Sequence, residues 1–134
     1  MSEPSIACAS GIVFDARGRL LLVLRARPPA AGTWSVPGGK CEAGETAEQA
    51  CVRELAEETA LVVTAARWAG RVERPAPGGG VYLIDDFVCQ VVSGTPMAGD
   101  DAAAVCWASR TELDALPLAP GLLNALVEWN LLPD

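Results

Sequence analysis

Residues 39–61 read GKCEAGETAEQACVRELAEETAL, and this stretch decides the fold. A helix turns by about 100° per residue, so Glu54, Glu57 and Glu58 fall within an arc of roughly 100° on one face. Like charges three or four positions apart on a helix repel each other. The cluster is therefore expected either on a fully solvated face or around a bound cation. A hard divalent ion such as Mg²⁺ takes oxygen ligands and bridges carboxylates to substrate phosphates.

The same stretch resembles the Nudix box, Gly-x5-Glu-x7-Arg-Glu-aliphatic-x-Glu-Glu-x-Gly-aliphatic. It departs from that pattern at one defined position, Ala60, where the family has glycine. Residues 34–39, WSVPGG, are similar to the usual lead-in to the box. The resemblance implies an α/β (α+β) protein with the Nudix fold, in which a mixed β-sheet is sandwiched between helices. It also implies a single Nudix hydrolase domain over residues 1–134 and hydrolysis of a phosphorus-containing acid anhydride.

The resemblance assigns metal ligands and catalytic groups to the acidic cluster. Glu54 and Glu58 would coordinate Mg²⁺, or Mn²⁺ in its place, and the backbone carbonyl of Gly38 would be a further ligand. Glu57 would be either another ligand or the base that takes a proton from the attacking water. The alternative for all three glutamates is an ordinary solvated acidic face.

Other residues around the box are candidates for support or for substrate binding. By resemblance, Arg53 and Glu45 form an ion pair that holds the glycine loop onto the helix. Gly39 lets the backbone approach the ligand closely. Lys40 either faces the ligand or is a solvated loop residue. Arg25 follows a buried strand and either reaches substrate phosphates, for which a planar guanidinium is suited, or is a plain surface arginine.

Composition limits the partners and the compartment. The chain has 134 residues, 51% of them hydrophobic, and a net charge of −7 from 10 basic and 17 acidic residues. This charge disfavours binding to a nucleic-acid backbone but not to a small nucleotide, because a bound metal reverses the local sign. The absence of histidine excludes imidazole chemistry. Five cysteines without CxxC spacing predict reduced, mostly buried thiols. No signal peptide or membrane span is apparent, which predicts a cytoplasmic protein.

Hydrophobic periodicity predicts the order β-β-β-α-β-β-β-α. A capping box, with Thr46 as N-cap and Gln49 reaching back, predicts a helix over residues 47–59. Ser109 and Glu112 form a second capping box that predicts a short helix, and apolar spacing predicts a terminal helix over residues 122–129. Strands are predicted over residues 6–14, 20–24, 34–36, 61–63 with continuation toward 73, 81–92 and 103–107.

Two departures from the family pattern matter. Alanine at position 60 means either that the helix ends differently or that the backbone is strained by about 1 kcal/mol. Many relatives supply an acid from a late loop, and similar ADP-ribose pyrophosphatases often have it where this chain has Ala104. Asp100 and Asp101 are the acids that remain there. The base is therefore either Glu57 or Asp101, with closure of the loop over residues 93–101 in the second case.

The resemblance leaves three functions open. The first is cleavage of the pyrophosphate bond in a nucleoside diphosphate linked to another group, with ADP-ribose or a related dinucleotide as the best guess because of residues 99–121. The second is a nucleotide-pool sanitising (d)NTP pyrophosphohydrolase. The third is a nucleotide-sensing module that has lost turnover. Many relatives dimerise, so a homodimer is one expected assembly.

Overall fold

The computed structural model describes residues 4–28, 30–99 and 101–134. Asp100, one of the two late-loop acids named above, lies outside these residues. The elements, in chain order, are β1 (Ser5–Ile12), β2 (Leu20–Arg25), β3 (Trp34–Ser35), β4 (Gly38–Lys40), α1 (Ala47–Thr59), β5 (Val62–Pro75), β6 (Val81–Ser93), β7 (Ala102–Ala108), α2 (Arg110–Ala115) and α3 (Leu122–Glu128). The predicted elements are present. Both short helices predicted at the end of the chain are among them, and the structure adds β4.

The strands form two sheets. The first has the order β4-β1-β6-β5 and is mixed, because β1 and β6 run parallel while the other neighbours are antiparallel. The second has the order β3-β2-β7 and is antiparallel. The predicted combination of a mixed sheet with flanking helices is confirmed. The division into two sheets was not predicted, since a hydrophobic pattern identifies strands but not their partners.

Two apolar clusters hold the helices on opposite sides of the strands. One contains Leu55 of α1 together with Leu21 and Phe87. The other contains Leu126 of α3 together with Leu20, Leu22 and other residues. Neighbouring side chains of β2 thus point into different clusters, which explains its unbroken apolar sequence. The five cysteines are free, and three of them are buried.

The N-terminal cap of α1 explains why the start of the helix follows from the sequence. The Thr46 hydroxyl accepts a hydrogen bond from the Gln49 backbone N–H at 3.1 Å, and the Gln49 side chain accepts one from the Thr46 N–H at 2.9 Å. This reciprocal pair satisfies two of the N–H groups that a helix start leaves open. The helix therefore begins at Ala47 and fixes the rotational phase of the glutamates that follow.

Ala60 ends α1 in the left-handed region, with φ 63° and ψ 11°. Its N–H donates to the Ala56 carbonyl at 3.1 Å. Of the two outcomes expected for the missing glycine, the structure shows the strained one. Alanine here forms the same helix end that glycine would form, but its Cβ lies unfavourably close to the backbone in this conformation.

We expect Ala60→Gly to raise the free energy of unfolding by about 1 kcal/mol, because glycine adopts this conformation without the Cβ clash. Ala56→Gly is the matched control, since Ala56 is also exposed but lies inside the helix. It should lower the free energy of unfolding by about as much. Urea denaturation measures both; a loss of stability in Ala60→Gly would contradict the strain.

The loop between β6 and β7 lies against the C-terminus of α1. Met97 donates its backbone N–H to the Thr59 carbonyl at 2.8 Å, and Gly99 donates to the Glu58 carbonyl at 3.0 Å. A Cβ on Gly99 would lie 2.2 Å from the Glu57 carbonyl oxygen, so this approach requires glycine. These bonds satisfy carbonyls that the helix end leaves open. The loop is therefore anchored in this structure, on the helix that carries the glutamates.

Candidate active site

The free edge of β4 faces α1. Hydrogen bonds from Gly11 N to Pro37 O and from Cys41 N to Ala7 O, both 2.9 Å, flank the pairing of β4 with β1. Antiparallel bonding alternates, so the peptide groups of Gly38 and Lys40 point away from β1. Two contacts agree with this geometry. The Gly38 N–H donates to Glu58 Oε2 at 3.0 Å, and the Lys40 carbonyl accepts from Arg53 Nη2 at 2.9 Å. The Gly38 carbonyl, the predicted ligand, lies along this same edge.

Gly39 brings the backbone against Glu54. A Cβ at position 39 would lie 2.6 Å from the Glu54 carboxylate, a distance that real Cβ atoms do not show. A side chain here would displace either the strand or the glutamate. The two glycines thus place bare backbone beside Glu54 and Glu58.

Burial strongly perturbs the pKa of Glu58. Burial, with repulsion from Glu54, raises the pKa of Glu58 to about 7, although the Gly38 N–H and the nearby Arg25 act in the opposite direction. Burial also raises the pKa of Glu54, and the contact with Arg53 opposes that shift. A carboxylate that is costly to ionise gains most from a nearby cation. Glu54 and Glu58 together therefore favour the binding of a cation.

Arg53 contacts several acidic side chains of the site. Its guanidinium binds Glu45 through two hydrogen bonds, Nε–Oε2 at 2.7 Å and Nη2–Oε1 at 2.9 Å. Its Nη1 lies 2.9 Å from Glu54 Oε1 and 3.1 Å from Glu57 Oε2. The Arg53 bond, with the Glu42 backbone N–H, lowers the pKa of Glu45 to about 2. The structure thus contains the predicted Arg53–Glu45 pair and adds two contacts of Arg53 with the acidic cluster.

Glu57 is placed differently from the other two glutamates. Its side chain is 45% exposed and its carboxylate is turned toward Arg53. In the described part of the chain, no three acidic or thiol side chains converge closely enough to hold a metal ion by themselves. The structure brings Glu54 and Glu58 to the β4 edge and leaves Glu57 at its rim. A three-glutamate ligand set would need a change of side-chain conformation at Glu57.

The remaining candidates lie around this edge. Arg25 ends β2, close enough to Glu58 to affect the pKa of that carboxyl. The Lys40 ammonium lies 5.9 Å from the centre of the Tyr82 ring, away from α1. Asp101 is 58% exposed in its side chain, pairs with Arg27 at 3.1 Å and helps to raise the pKa values of Glu54 and Glu58.

The sequence did not indicate a role for two buried polar side chains near the site. The Ser35 hydroxyl, three residues before Gly38, is buried and has no hydrogen-bond partner among the described residues. Asp86 in β6 is only 4% exposed. The adjacent acids Asp85 and Asp86 inside the largely apolar run of residues 81–92 were the available signal for Asp86. Nothing in the sequence distinguishes Ser35 from an ordinary strand serine.

The donor set fits a hard divalent cation. Two carboxylates, Glu54 and Glu58, and the carbonyl edge of Gly38 offer oxygen ligands, which Mg²⁺ and similar ions prefer. The raised pKa of Glu58 and the repulsion between the two acids are what such an ion would relieve.

Within the residues that the structure describes, no helix combines the length and the apolar character needed to cross a bilayer.

The sequence pattern that defines the NUDIX domain matches residues 4–129. The chain therefore belongs to the Nudix family, and it is a pyrophosphohydrolase of that family. Nudix hydrolases generally use divalent metal ions and act on small nucleotide substrates.

Three similar proteins illustrate the range of the family. "Putative 8-oxo-dGTP diphosphatase 2" of Mycobacterium tuberculosis is 38% identical over 117 residues, which cover 86% of this chain and 80% of that one. The ADP-ribose pyrophosphatase of Methanocaldococcus jannaschii is 39% identical over 102 residues, covering 75% and 59%. The crystal structure of a MutT protein from Methanosarcina mazei superposes with a TM-score of 0.85 at 20% identity, covering 97% and 96%, which supports the fold.

Proposed function

We propose that this protein is a Mg²⁺-dependent hydrolase that cleaves a pyrophosphate bond in a nucleotide, with Mn²⁺ able to replace Mg²⁺. The observation that carries the proposal is the meeting of Glu54 and Glu58 with the bare backbone edge at Gly38 and Gly39. A fold has no structural reason to bury two acids side by side. A cation that these residues would hold, and that would neutralise charge on substrate phosphates, provides one.

Each residue has a role in this proposal. Glu54, Glu58 and the Gly38 carbonyl would hold the metal, which would supply charge neutralisation at the phosphates and make water more acidic. Glu57, at the rim of the site, is either a further ligand or accepts the proton of the attacking water. Arg53 and Glu45 keep the glycine loop on α1. Gly39, Lys40 and Arg25 contact the substrate, the two cations through its phosphates.

For the substrate we place nucleoside triphosphates ahead of ADP-ribose, the reverse of the order suggested by the sequence. The relative named for 8-oxo-dGTP is similar over 80% of its own length, whereas the one named for ADP-ribose is similar over 59%. A similarity that spans most of both chains includes more of the surface that contacts the substrate. ADP-ribose or a related dinucleotide is the second candidate, favoured by the Methanocaldococcus jannaschii relative.

The test is turnover of a nucleotide panel with Mg²⁺ or Mn²⁺. The panel contains the common and oxidised nucleoside triphosphates, ADP-ribose and dinucleoside polyphosphates, and product analysis shows which bond is cleaved. Release of pyrophosphate and a nucleoside monophosphate from a triphosphate supports the leading proposal. Release of AMP and ribose phosphate from ADP-ribose supports the second. No metal-dependent turnover of any member would favour the sensing module.

Three further expectations stay predictions. The pattern match over residues 4–129 supports a single domain for the chain. A cytoplasmic location and a homodimer rest on the family resemblance and on composition.

A further inference from the structure

Asp86 is a buried acid that the proposed chemistry does not use. It lies in the middle of β6, is 4% exposed, and forms no side-chain hydrogen bond with the described residues. Among the described residues, the Ser35 hydroxyl is the side-chain polar group that is both inaccessible to solvent and without a hydrogen-bond partner. The Asp86 carboxylate also has no partner among these residues, so its oxygens must keep some contact with solvent. An unpaired buried carboxyl is costly to a fold. Asp86 is thus a nearly buried acid without a partner in the described part of the chain, and its carboxylate keeps a small contact with solvent.

The sheet register relates Asp86 to the metal edge. Gly38 of β4 is opposite Ser10 of β1, and Ser10 is opposite Asp86 of β6. Two strand spacings therefore separate the backbones of Gly38 and Asp86, about 10 Å. This is comparable to the length of a nucleoside attached to a phosphate held at Gly38.

Asp86 points to the face of the sheet opposite α1. Its neighbour Asp85 is opposite Ala9, which packs in the α1 cluster, and successive strand residues point to opposite faces. Lys40 and Tyr82, which are in contact, lie on the face that Asp86 shares. This face therefore extends from the metal edge to Asp86 without interruption by α1.

Side chains from other elements border this place. Gly70 of β5 is opposite Asp86, and a Cβ on Gly70 would lie 2.4 Å from the Trp129 ring of α3. Arg74 of β5 donates from Nε to the Pro120 carbonyl at 3.1 Å, which ties the sheet to the segment before α3. An aromatic ring beside an unpaired carboxyl is a combination suited to a planar, polar ring.

We propose that Asp86 is a specificity-determining residue that hydrogen-bonds to the edge of the substrate's nucleobase. This inference rests on the proposed function, because it takes a nucleotide as the ligand of the site. Its chemistry follows from what a carboxyl group offers in each state. A protonated carboxyl presents one donor and one acceptor, whereas a carboxylate presents acceptors alone.

These two states match different bases. Adenine and cytosine each present an amino donor beside a ring-nitrogen acceptor, which a neutral carboxyl complements. Guanine presents two neighbouring donors, the ring N–H and the amino group, which a carboxylate complements. Protonation of Asp86 therefore selects adenine or cytosine, and ionisation selects guanine.

The groups around Asp86 place its change of protonation state near neutral pH. Burial raises the pKa of Asp86 to about 7, Asp85 adds to the rise, and Arg74 opposes it. The other titratable groups around Asp86 on the packed elements are Tyr82 on β6, Cys8 on β1 and, through the sheet, Cys51 on α1, whose own pKa Asp86 raises. The packed residue of α3, Trp129, does not titrate.

The test measures dissociation constants for non-hydrolysable α,β-methylene analogues of ATP and GTP by calorimetry, and kcat/KM for ATP and GTP, across pH. Between about pH 6 and about pH 8.5 the preference for ATP over GTP should fall about tenfold, the effect of about one hydrogen bond. Using the ratio removes effects of pH that both nucleotides share, including those at the metal site.

Two variants complete the test. Asp86→Asn always presents a donor and an acceptor, so its preference should be independent of pH and equal to that of the wild type at low pH. Asp85→Asn is the matched control, because Asp85 faces the other side and pairs with Arg71. It should keep a pH-dependent ratio, with the change moved to lower pH because Asp85 no longer raises the pKa of Asp86. A pH-independent ratio in the wild type, or a wild-type profile in Asp86→Asn, would overturn the inference.

The two proposals fail in different ways. Hydrolysis of nucleotides with a ratio that does not change with pH overturns the role of Asp86 alone. A ratio of dissociation constants that changes as expected, without hydrolysis of any nucleotide of the panel described above, supports the role of Asp86 and overturns the proposed function. Failure of both analogues to bind at any pH overturns the role of Asp86, and it overturns the proposed function as well only if no member of the nucleotide panel is hydrolysed.

Discussion

Replacing Glu58 by glutamine should leave the fold intact and lower kcat/KM by more than about 100-fold. Loss of a group that merely supports a metal ligand costs roughly 10–100-fold, and Glu58 is proposed as a ligand itself. Glutamine keeps an oxygen that can accept the Gly38 N–H, so the local geometry should survive. The metal-free variant should be at least as stable as the wild type, since a buried charge has been removed.

The control is Glu48→Gln, the same substitution at an exposed position in the first turn of the same helix. It should change kcat/KM little. Steady-state kinetics with saturating Mg²⁺, together with a melting curve for each variant, distinguishes a loss of activity from a loss of stability. Wild-type turnover in folded Glu58→Gln would show that the metal is not held where we place it.

The second prediction with a large expected effect concerns the side chain that accepts the proton of the attacking water. If Glu57 accepts the proton, Glu57→Gln should lower kcat by roughly 10²–10⁴-fold, the usual contribution of a positioned base, while Asp101→Asn has a small effect. Glu57 is on a rigid helix and Arg53 restrains its carboxylate. Asp101 is more exposed and pairs with Arg27, so its carboxylate is held by a weaker surface contact.

Single-turnover rates for both variants decide between the two acids. A larger loss in Asp101→Asn would make the late loop the source of the base, although the bonds from Met97 and Gly99 anchor that loop to α1 in this structure. Equal losses would contradict any account with one dedicated side-chain base.

The sequence predicted those parts of the fold that local interactions determine. The helix over residues 47–59 was correct at both ends, and its start follows from Thr46 and Gln49, which cap it without help from the rest of the chain. The same helix sets the spacing of Glu54 and Glu58, so their approach to one place also followed from the sequence. The capping box at Ser109 was equally local and equally correct.

Features that depend on partners distant in sequence could not be predicted in this way. The strand formed by Gly38–Lys40 exists because β1 pairs with it, and glycines alone indicate a loop. The contacts of Arg53 with both Glu54 and Glu57 depend on side-chain conformations that spacing does not fix. The burial of Asp86 depends on the packing of α3 over β5, far away in the chain.

The most direct test of the account is a titration of Mn²⁺ binding followed by the electron paramagnetic resonance signal of the free ion. The wild type should bind Mn²⁺ more tightly as pH rises through about 7, because Glu58 must lose its proton to become a ligand. Glu58→Gln should bind at least about tenfold more weakly and lose most of this pH dependence. Glu48→Gln should bind as the wild type does. Equal Mn²⁺ affinity in the wild type and Glu58→Gln would contradict the account.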